Sequence, residues 1–576
     1  MYALLLFVLV ANYFNFSITK AAVPEVCIDQ LGCIEGVHAT DSGGQQYEAF
    51  YGIPFAKPPI GELRFKNPLP VDPWKGKLMT KEPRTECIQY NQIPSIPTIS
   101  GKEDCLYLNL YRPKKSSTEK LPVLFYIHGG GLFSGTSSPA VNGPEYFMET
   151  NEVILVLPAY RLGQFGFLST GDEHMTGNFG LKDQNMALKW VQKYIYAFNG
   201  DPSRVTIFGH SAGSISTHLH MLSPASRGLF RNAVLMSGQA NSPFIRKIDQ
   251  KSQVIQLAKG VGITNANEMS SSELADALRN VQATDLLKAG ADLKVWSVYP
   301  FATFRTTIEQ ESWSEPFLTE DTFKLIGSPK MPKTVPWIGG YTSSIGEGTV
   351  MALRLSTDPD LQADFNKNFY YLFKLVIELN GTEYPERVDE VVERLVVEYM
   401  DGVRELNKDT IDGFLELLGD CFFTYPLYKT IASNVNSGGQ ANSLKGIIKF
   451  GYRGPYTFTK IFTGSLRNLG AVHVDDFLYL YRMSFLVPNG YERSTPEAEL
   501  VKKYVALHVE YAKTGNVEAF NKVSPCSKDK FDRPDLPAIC DYLSIVNDTE
   551  LFQVGNKWDV KRMKLWEYVD KTLFDI

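Results

Sequence analysis

Short apolar runs alternate with longer amphipathic stretches through the first half of the chain. The runs are rich in Val, Ile and Leu and cover residues 121–128, 152–160, 205–208 and 231–238. Continuous hydrophobicity is typical of strands covered on both faces, as in a parallel sheet between layers of helices. Residues 181–198 lie between two of these runs and place apolar side chains at helical spacing. The pattern predicts strand–helix–strand units and therefore an α/β fold.

The second half continues this pattern with more helix. Residues 334–341 and 475–481 are predicted strands, and residues 360–435 show mostly a 3.6-residue period, which indicates inserted or flanking helices. No internal repeat, low-complexity tract or Pro/Ser linker divides the sequence. We therefore expect residues 21–576 to form one large domain.

The first twenty residues contain an apolar run of the length found in signal peptides, which is too short to span a bilayer. Residues 1–20 are therefore predicted to be a signal peptide of a secreted, extracellular protein. The basic segment that usually precedes such a run is missing, and small residues from Ala11 to Ala22 offer several cleavage points. An uncleaved N-terminal strand or anchor is the alternative. No second apolar run of membrane-spanning length follows, so no membrane span is expected.

Charge and cysteine content narrow the possible partners and the compartment. The chain has 58 basic and 64 acidic residues, and no Lys/Arg run long enough to follow a phosphate backbone, so nucleic acid is not an expected partner. Seven cysteines in a secreted chain predict disulfides and one leftover thiol. Cys27 with Cys33, and Cys526 with Cys540, are close enough to close small loops, which would leave Cys421 unpaired, but the sequence leaves the connectivity open. Candidate glycosylation sites are Asn380 and Asn547.

Residues 205–216, VTIFGHSAGSIS, place Ser211 in a Gly-x-Ser-x-Gly motif between a predicted strand and a predicted helix. In the turn called the nucleophile elbow, small neighbours allow the strained serine backbone and the close packing of strand on helix. Gly209, Ala212 and Gly213 meet this requirement. A serine hydroxyl is a poor nucleophile until a base removes its proton, and that base needs an orienting carboxylate.

The expected chain order after this elbow is acid and then histidine. Of the eight histidines, only His473 and His508 follow the serine beyond the helix that the elbow starts. His508 lies in a predicted helix with the spacing of an ordinary packed or surface residue. His473 lies in a glycine-containing loop ahead of a predicted strand, where a catalytic histidine is expected. His473 is therefore the predicted base.

The acid is less tightly specified by the residues themselves. Glu347 follows a predicted buried strand within a Ser/Gly-rich loop, from which a carboxylate can orient an imidazole. Asp475 and Asp476 are rivals because they are close to His473 in sequence. They are poorly placed to hold its Nδ1 proton from two and three residues away.

Besides a base and an orienting acid, the chemistry needs a pair of N–H donors for the oxyanion. Residues 126–135, YIHGGGLFSG, can supply them. Bare glycine backbone directly after a strand can approach a bound carbonyl closely. A phosphate-binding loop is the alternative, but no Lys-Ser/Thr follows the glycines. Gly130, Gly131 and Ala212 are the predicted donors. The chemistry needs no metal and no organic cofactor.

Six segments resemble, in order, blocks of the carboxylesterase/cholinesterase branch of the α/β hydrolases, and in particular secreted insect-type esterases. They cover residues 52–65, 103–113, 128–135, 177–192, 200–213 and 470–481. The resemblance extends over nearly the whole mature chain. It implies an α/β-hydrolase fold, with a mostly parallel central sheet and helices on both faces, and the hydrolysis of carboxylic esters.

The resemblance also implies roles for single residues. Ser211 would be the acylated nucleophile, His473 the general base and acid, and Glu347 the orienting acid. A disulfide between Cys87 and Cys105 and an ion pair between Arg64 and Glu103 would follow from the same comparison.

The chain departs from the family at three places. Residues 88–104 contain no tryptophan, whereas cholinesterases use one there to hold a choline cation. His210 precedes the serine where cholinesterases have Glu and juvenile hormone esterases usually have Gln. Leu132 stands where Phe is more common, and is expected to reshape the pocket floor.

The expected substrate is therefore a small-molecule carboxylic ester, and the expected enzyme is a secreted general carboxylesterase. A narrow juvenile hormone, pheromone or odorant esterase is the alternative within the class. An inactive, cholinesterase-like adhesion protein is the alternative of another class, but its usual signature, a broken triad, is absent from the sequence. The oligomeric state, the acyl group and the alcohol group stay open.

Overall fold

The protein is described by a computed structural model that covers residues 23–93, 96–114, 118–332, 335–436, 443–524, 526, 540–546 and 551–576. The predicted signal peptide and Asn547 lie outside these residues. Within them, no helix is both long and apolar enough to cross a bilayer.

The strands, in chain order, are β1 (Glu25–Ile28), β2 (Gly32–Glu35), β3 (Val37–Thr40), β4 (Gln46–Pro54), β5 (Lys77–Met79), β6 (Gln89–Asn91), β7 (Thr98–Ser100), β8 (Tyr107–Pro113), β9 (Leu121–Ile127), β10 (Ile154–Pro158), β11 (Gly200–His210), β12 (Asn232–Met236), β13 (Trp337–Tyr341), β14 (Leu444–Phe450), β15 (Tyr542–Ile545) and β16 (Gln553–Gly555).

The α-helices are α1 (Glu145–Met148), α2 (Gly163–Phe167), α3 (Phe179–Tyr194), α4 (Ala212–Leu222), α5 (Gln250–Gly260), α6 (Ser271–Arg279), α7 (Ala283–Ala291), α8 (Thr322–Leu325), α9 (Ser344–Ala352), α10 (Pro359–Lys367), α11 (Phe369–Val376), α12 (Val388–Met400), α13 (Ile411–Gly419), α14 (Tyr425–Asn436), α15 (Thr459–Thr463), α16 (Pro496–Thr514) and α17 (Val560–Leu573). Short 3₁₀ helices connect several of them.

Eleven of the strands form one twisted sheet in the order β16-β15-β14-β13-β12-β11-β9-β10-β8-β4-β3. Strands β10, β9 and β11 to β15 pair in parallel, whereas β16 on one side and β8, β4 and β3 on the other pair antiparallel. Every residue of β10, β12 and β13 is buried. This burial explains their continuous hydrophobicity, because parallel strands are covered on both faces.

The predicted strands and helices of the sheet are confirmed, with one exception. Residues 475–481 are not a strand, because Asp475–Tyr479 forms a 3₁₀ helix. The N–H groups of Asp475 and Phe477 donate to the carbonyls of Val472 and Val474, three residues earlier. All five residues of this helix are buried. A short apolar run that is buried on every side has no period by which a strand can be distinguished from a helix.

Three disulfides and a part-buried ion pair join loops beside the sheet. Cys27 pairs with Cys33, Cys87 with Cys105, and Cys526 with Cys540, while Cys421 is free and buried. Arg64 Nη2 lies 2.5 Å from one carboxylate oxygen of Glu103, and its Nε lies 2.6 Å from the other. The Cys87–Cys105 disulfide and the ion pair are those that the family resemblance implies, and the other two disulfides are the local loops that the cysteine spacing allowed.

Candidate active site

Ser211 stands alone between the end of β11 and the first residue of α4. Its backbone has φ 57° and ψ −127°, a strained conformation for a residue with a side chain. A Cβ atom on Gly209 would lie only 2.1 Å from the carbonyl oxygen of Gly213, so strand and helix approach each other too closely for any other residue there. Ser211 N–H donates to the carbonyl of Met236 on the neighbouring strand, at 2.9 Å. The local structure is the elbow that the motif predicts.

His473 and Glu347 are in direct contact. Nδ1 of His473 lies 2.5 Å from Oε2 of Glu347, and both side chains are buried. The other carboxylate oxygen accepts hydrogen bonds from Ser237 Oγ at 2.6 Å and from Thr342 N–H at 2.7 Å. The N–H of His473 donates to the carbonyl of Gly346 at 3.1 Å. The carboxylate therefore has a fixed orientation and holds the imidazole by its Nδ1 side.

Burial and charge act against each other at this pair. Burial by itself raises the pKa of Glu347. The interaction with His473 and the hydrogen bonds from Ser237 and Thr342 outweigh burial and keep that pKa below its ordinary value. Burial lowers the pKa of His473, although Glu347 opposes the shift. Around neutral pH the pair is thus a carboxylate facing a neutral imidazole, which is the state needed for a general base.

Two predictions about the local structure around these residues are wrong. Glu347 does not lie in a loop, because it is in the first turn of α9, which Ser343 caps by accepting a hydrogen bond from Gly346 N–H. His473 precedes a 3₁₀ helix rather than a strand. At Glu347 the Ser/Gly-rich composition concealed a short helix, and after His473 the buried apolar run had no period that distinguishes a strand from a helix.

The rival residues have other contacts. Asp475 accepts hydrogen bonds from Thr457 Oγ1, Phe458 N–H and Val472 N–H at 2.8, 2.8 and 3.0 Å. Nδ1 of His508 lies 2.8 Å from the carbonyl of Tyr504 within α16. Asp476 lies beside His210 instead of beside Nδ1 of His473. Of the carboxylates considered, Glu347 is the one in contact with the imidazole.

The glycine loop after β9 lies at the same edge of the sheet as Ser211. Gly130, Gly131, Ala212, Ser211 and His473 all line one cavity. Within the part of the chain that the structure describes, the N–H groups of Gly130 and Gly131 have no backbone acceptor. Ala212 N–H is in the first turn of α4, where amides lack a partner within the helix. These three N–H groups therefore lie at the cavity wall without an acceptor from the described backbone.

Gln89 is a residue of the cavity wall that no sequence pattern indicated. Its side-chain oxygen accepts from Gly135 N–H at 2.8 Å, and its Nε2 donates to the carbonyl of the same glycine at 2.9 Å. It follows Cys87, whose disulfide anchors it, and it lines the cavity. No motif marks a glutamine of this kind, because its role depends on a partner 46 residues away.

The cavity has a volume of about 390 Å³, and a group of aromatic side chains forms part of its wall. These walls were not predicted, and they include Phe244, Phe301, Phe422, Phe423, Phe458 and Phe462. Leu132 is fully buried and does not line the cavity, so the expectation that it reshapes the pocket floor is wrong. The segment 88–104, which has no tryptophan, contributes Gln89, Asn91, Ile93 and Ser100 to the lining.

Sequence and structure comparisons agree with this geometry. The profile of the carboxylesterase family matches residues 22–558. The juvenile hormone esterase of Tribolium castaneum is 34% identical over 552 residues, which is 94% of this chain and 92% of the relative. A carboxylic ester hydrolase of Bombus ignitus is also 34% identical, over 82% of this chain and 83% of the relative.

A solved structure extends the likeness to three dimensions. The crystal structure of juvenile hormone esterase from Manduca sexta, with OTFP covalently attached, superimposes with a TM-score of 0.80 at 26% identity. The match covers 95% of this chain and 99% of the other. The chain belongs to the carboxylesterase family and is a carboxylic ester hydrolase with the α/β-hydrolase fold.

Proposed function

We propose that the protein cleaves its ester by two-step acyl transfer, with Ser211 as nucleophile, His473 as general base and acid, and Glu347 as the carboxylate that orients His473. The observation that carries the proposal is the 2.5 Å contact between Nδ1 of His473 and Oε2 of Glu347 at the cavity that Ser211 also lines. With Nδ1 occupied by the carboxylate, Nε2 is the nitrogen available to a hydroxyl.

In the first step Ser211 Oγ attacks the ester carbonyl while its proton passes to His473 Nε2. The negative charge that develops on the carbonyl oxygen is stabilised by the N–H groups of Gly130, Gly131 and Ala212, each worth roughly 3 kcal/mol in comparable enzymes. The tetrahedral intermediate collapses, and the alcohol leaves with the proton from His473. Water then gives a proton to His473 and attacks the acyl enzyme, and the acid product leaves as Ser211 regains its proton.

The preferred substrates are small to medium apolar esters. Aromatic walls bind apolar acyl and alcohol groups by excluding water from both surfaces. The segment 88–104 has no tryptophan to bind a quaternary ammonium, and His210 replaces a carboxylate next to the nucleophile. A cationic alcohol is therefore disfavoured.

Narrow specificity for juvenile hormone or another terpenoid ester is the second candidate. Two relatives named juvenile hormone esterase, one by sequence and one by structure, match more than nine-tenths of this chain. Initial rates on naphthyl, choline and long-chain terpenoid esters distinguish the candidates. A general carboxylesterase cleaves the naphthyl ester best, a narrow enzyme favours the terpenoid ester by orders of magnitude, and a choline preference would contradict both.

Secretion is proposed on separate grounds. Three disulfides are typical of proteins that fold in an oxidising compartment. Asn380 is exposed in the turn after α11 and is accessible to a glycan. We expect residues 1–20 to be removed and residues 21–576 to fold as one domain, which N-terminal sequencing and limited proteolysis of the secreted protein would test.

Replacement of Ser211 by alanine tests the proposed function directly. We expect kcat on a naphthyl ester to fall at least about 10³-fold, with substrate binding largely retained, because the covalent step is lost. Wild-type protein should also lose its activity on stoichiometric labelling by an organophosphate, and the variant should take up no label. Ser203→Ala is the matched control, because Ser203 is exposed on the same strand.

Two results would contradict the proposal. One is a Ser211→Ala variant that keeps near-normal activity. The other is a folded wild-type protein that cleaves none of the esters and takes up no organophosphate, which would favour the alternative of an inactive adhesion protein.

A further inference from the structure

Helices α13 and α14 are joined without a break by a π-helix, Asp420–Thr424. The N–H of Tyr425 donates to the carbonyl of Asp420, five residues earlier, where an α-helix would use the residue four earlier. A turn closed over five residues holds more side chains than an α-helical turn, so consecutive side chains leave it at a smaller angle. Phe422 and Phe423, which are neighbours in the chain, both line the cavity. Such turns are rare, and they occur frequently at functional sites.

The π-helix is fixed by contacts outside the cavity. Its first residue, Asp420, is fully buried and accepts a hydrogen bond from the hydroxyl of Tyr399 at 2.8 Å. Nε of Arg562, on α17, lies 2.8 Å from the same carboxylate oxygen. The carbonyl of Phe422 accepts a hydrogen bond from Ser242 Oγ at 2.9 Å. These contacts hold the two phenylalanines in place without help from a substrate.

The chain on either side of the π-helix also packs on α9, the helix that carries Glu347. A Cβ atom on Gly419 would lie only 1.7 Å from the carbonyl oxygen of Ser344, the first residue of α9. The hydroxyl oxygen of Ser344 lies 3.3 Å from that of Thr424. The π-helix and the proposed orienting acid therefore keep a fixed relation to each other.

Phe423 packs on the imidazole ring of His473. The two ring centroids are 4.9 Å apart and the ring planes are inclined by 43°. Phe423 is 6% exposed and His473 is 1% exposed, so water does not separate them. Among the described aromatic rings, His210 at 4.6 Å and Phe462 at 6.4 Å are the other neighbours of this imidazole. Phe422 makes no such ring contact.

The contact with Glu347 does not by itself fix the imidazole. It holds Nδ1, whereas Nε2 of His473 has no hydrogen-bond partner among the described residues, so the ring could turn about Nδ1 and carry Nε2 away from Ser211. The backbone next to it is strained, because Val474 has φ 77°, an outlier for a β-branched residue. Such strain persists only where surrounding contacts hold the chain. A ring packed on the imidazole opposes both movements.

We propose that Phe423 is a positioning residue, which the π-helix places against His473 so that Nε2 stays directed at Ser211. The inference rests on the proposed function, since it concerns the same base. Phe423 acts on the reaction through the imidazole. Phe422, one residue earlier, acts on the substrate as part of the cavity wall.

Phe423→Leu removes the flat ring face and keeps an apolar side chain. We expect kcat to fall about tenfold on naphthyl acetate and on naphthyl octanoate alike, because a misdirected base slows the reaction of any bound ester. KM should stay within about twofold of wild type for both esters. Phe423→Tyr keeps the ring and should retain kcat. Phe423→Met serves if the leucine variant does not fold.

Two other phenylalanines provide the comparison. Phe422→Leu should change KM by different factors for the short and the long ester, because it alters the wall and leaves the imidazole held. Phe414→Leu is the matched control, because Phe414 is fully buried on α13 and does not line the cavity. It should lower the midpoint of a thermal melt and leave kcat unchanged.

A double-mutant cycle with Glu347→Gln tests whether Phe423 acts through the imidazole. Residues that act through one shared group have effects that do not add. We expect Phe423→Leu to lower kcat by less than about threefold once Glu347→Gln has already released the ring. A full tenfold loss in both backgrounds would mean that Phe423 acts independently of the held imidazole, and would overturn the inference.

The outcomes separate this inference from the proposed function. If Phe423→Leu changes KM according to the length of the acyl chain and keeps the kcat of wild type, Phe423 is a wall residue only and the inference fails while the triad stands. If wild-type protein takes up no organophosphate at Ser211, it is the proposed function that fails.

Discussion

At the residue scale, the position of Glu347 depends on the glycines on either side of it. A Cβ atom on Gly346 would lie 2.0 Å from the carbonyl oxygen of Ala471, and one on Gly348 would lie 1.8 Å from that of Leu415. Helix α9 therefore packs directly against the backbone of two other segments, one of which leads to His473. This close approach brings the Glu347 carboxylate to the imidazole.

Glu347→Gln should lower kcat by about 10²- to 10⁴-fold with little change in KM. The amide has nearly the same shape as the carboxylate, but it carries no charge to stabilise the imidazolium and does not select the Nδ1–H tautomer. Steady-state kinetics on a naphthyl ester would measure the effect. Glu386→Gln, at an exposed position, is the control. A Glu347→Gln variant within twofold of wild type would rule out the proposed role of this residue.

At the element scale, the site consists of segments that follow β9, β11, β13 and β14, whose carboxyl ends lie at one edge of the sheet. Open α/β sheets bind ligands at that edge, because parallel strands deliver their following loops to the same side. The glycine loop has few side chains of its own to hold it. Gln89, which lies next to the Cys87–Cys105 disulfide, makes two hydrogen bonds to Gly135 at the end of this loop.

Gln89→Ala should reduce kcat by about tenfold and leave KM nearly unchanged. It removes two hydrogen bonds to Gly135, each worth about 1 kcal/mol, and loosens donors that act mainly in the transition state. Steady-state kinetics and a thermal melt would separate the effect on catalysis from that on stability. Gln192→Ala is the matched control, because Gln192 also donates to two backbone carbonyls, those of Pro202 and Leu229. If both variants lose kcat equally, the loop has no special dependence on Gln89.

At the scale of the whole molecule, the core contains several neutral histidines. Burial lowers the pKa of four of them, to about 4 for His128 and His508 and to about 3 for His218 and His220. In the unfolded chain each would titrate near 6.5. At a pH between the folded and the unfolded pKa values, unfolding therefore takes up protons. The stability that is present above about pH 6.5 is lost as the pH falls toward the folded pKa values.

Three buried carboxyl groups act in the opposite direction, and burial also raises the pKa of one of them, Glu145. Burial raises the pKa of Asp420 to about 6 and that of Asp475 to about 7. Because these values lie above those of the unfolded chain, the contribution of each group to stability is present at low pH and is lost as the pH rises through the folded value. These three carboxyl groups oppose the four histidines above and His473, whose pKa is also lowered, so we expect the net effect of acid to be destabilising.

We expect the free energy of unfolding to be lower at pH 5 than at pH 7.5, with each histidine contributing at most about 1.4 kcal/mol per pH unit. Urea denaturation followed by tryptophan fluorescence at the two pH values would measure the difference. Equal or greater stability at pH 5 would mean that the buried histidines do not dominate the proton balance.

The local features of the active site could be predicted because they depend on neighbours in sequence. The strand before Ser211, the small residues around it and the helix after it define the elbow within a dozen positions. His473 followed from the order of the triad and from the position of the other seven histidines. The apolar runs predicted the parallel strands, because strands buried on both faces have no polar positions.

Other features depend on contacts between segments that are far apart in the chain. Glu347 and His473 are 126 residues apart, and the residues themselves left Asp475 and Asp476 open as rivals until the fold placed them. The 3₁₀ helix at Asp475–Tyr479, the aromatic cavity wall, the Gln89 contact and the Phe423–His473 contact had no local signal. The sequence by itself determined the class of fold and singled out the proposed nucleophile and the proposed base, since those are encoded in local pattern and order. The tertiary structure alone decided which carboxylate meets the base and what surrounds it, because packing and burial act between residues that no short stretch of sequence brings together.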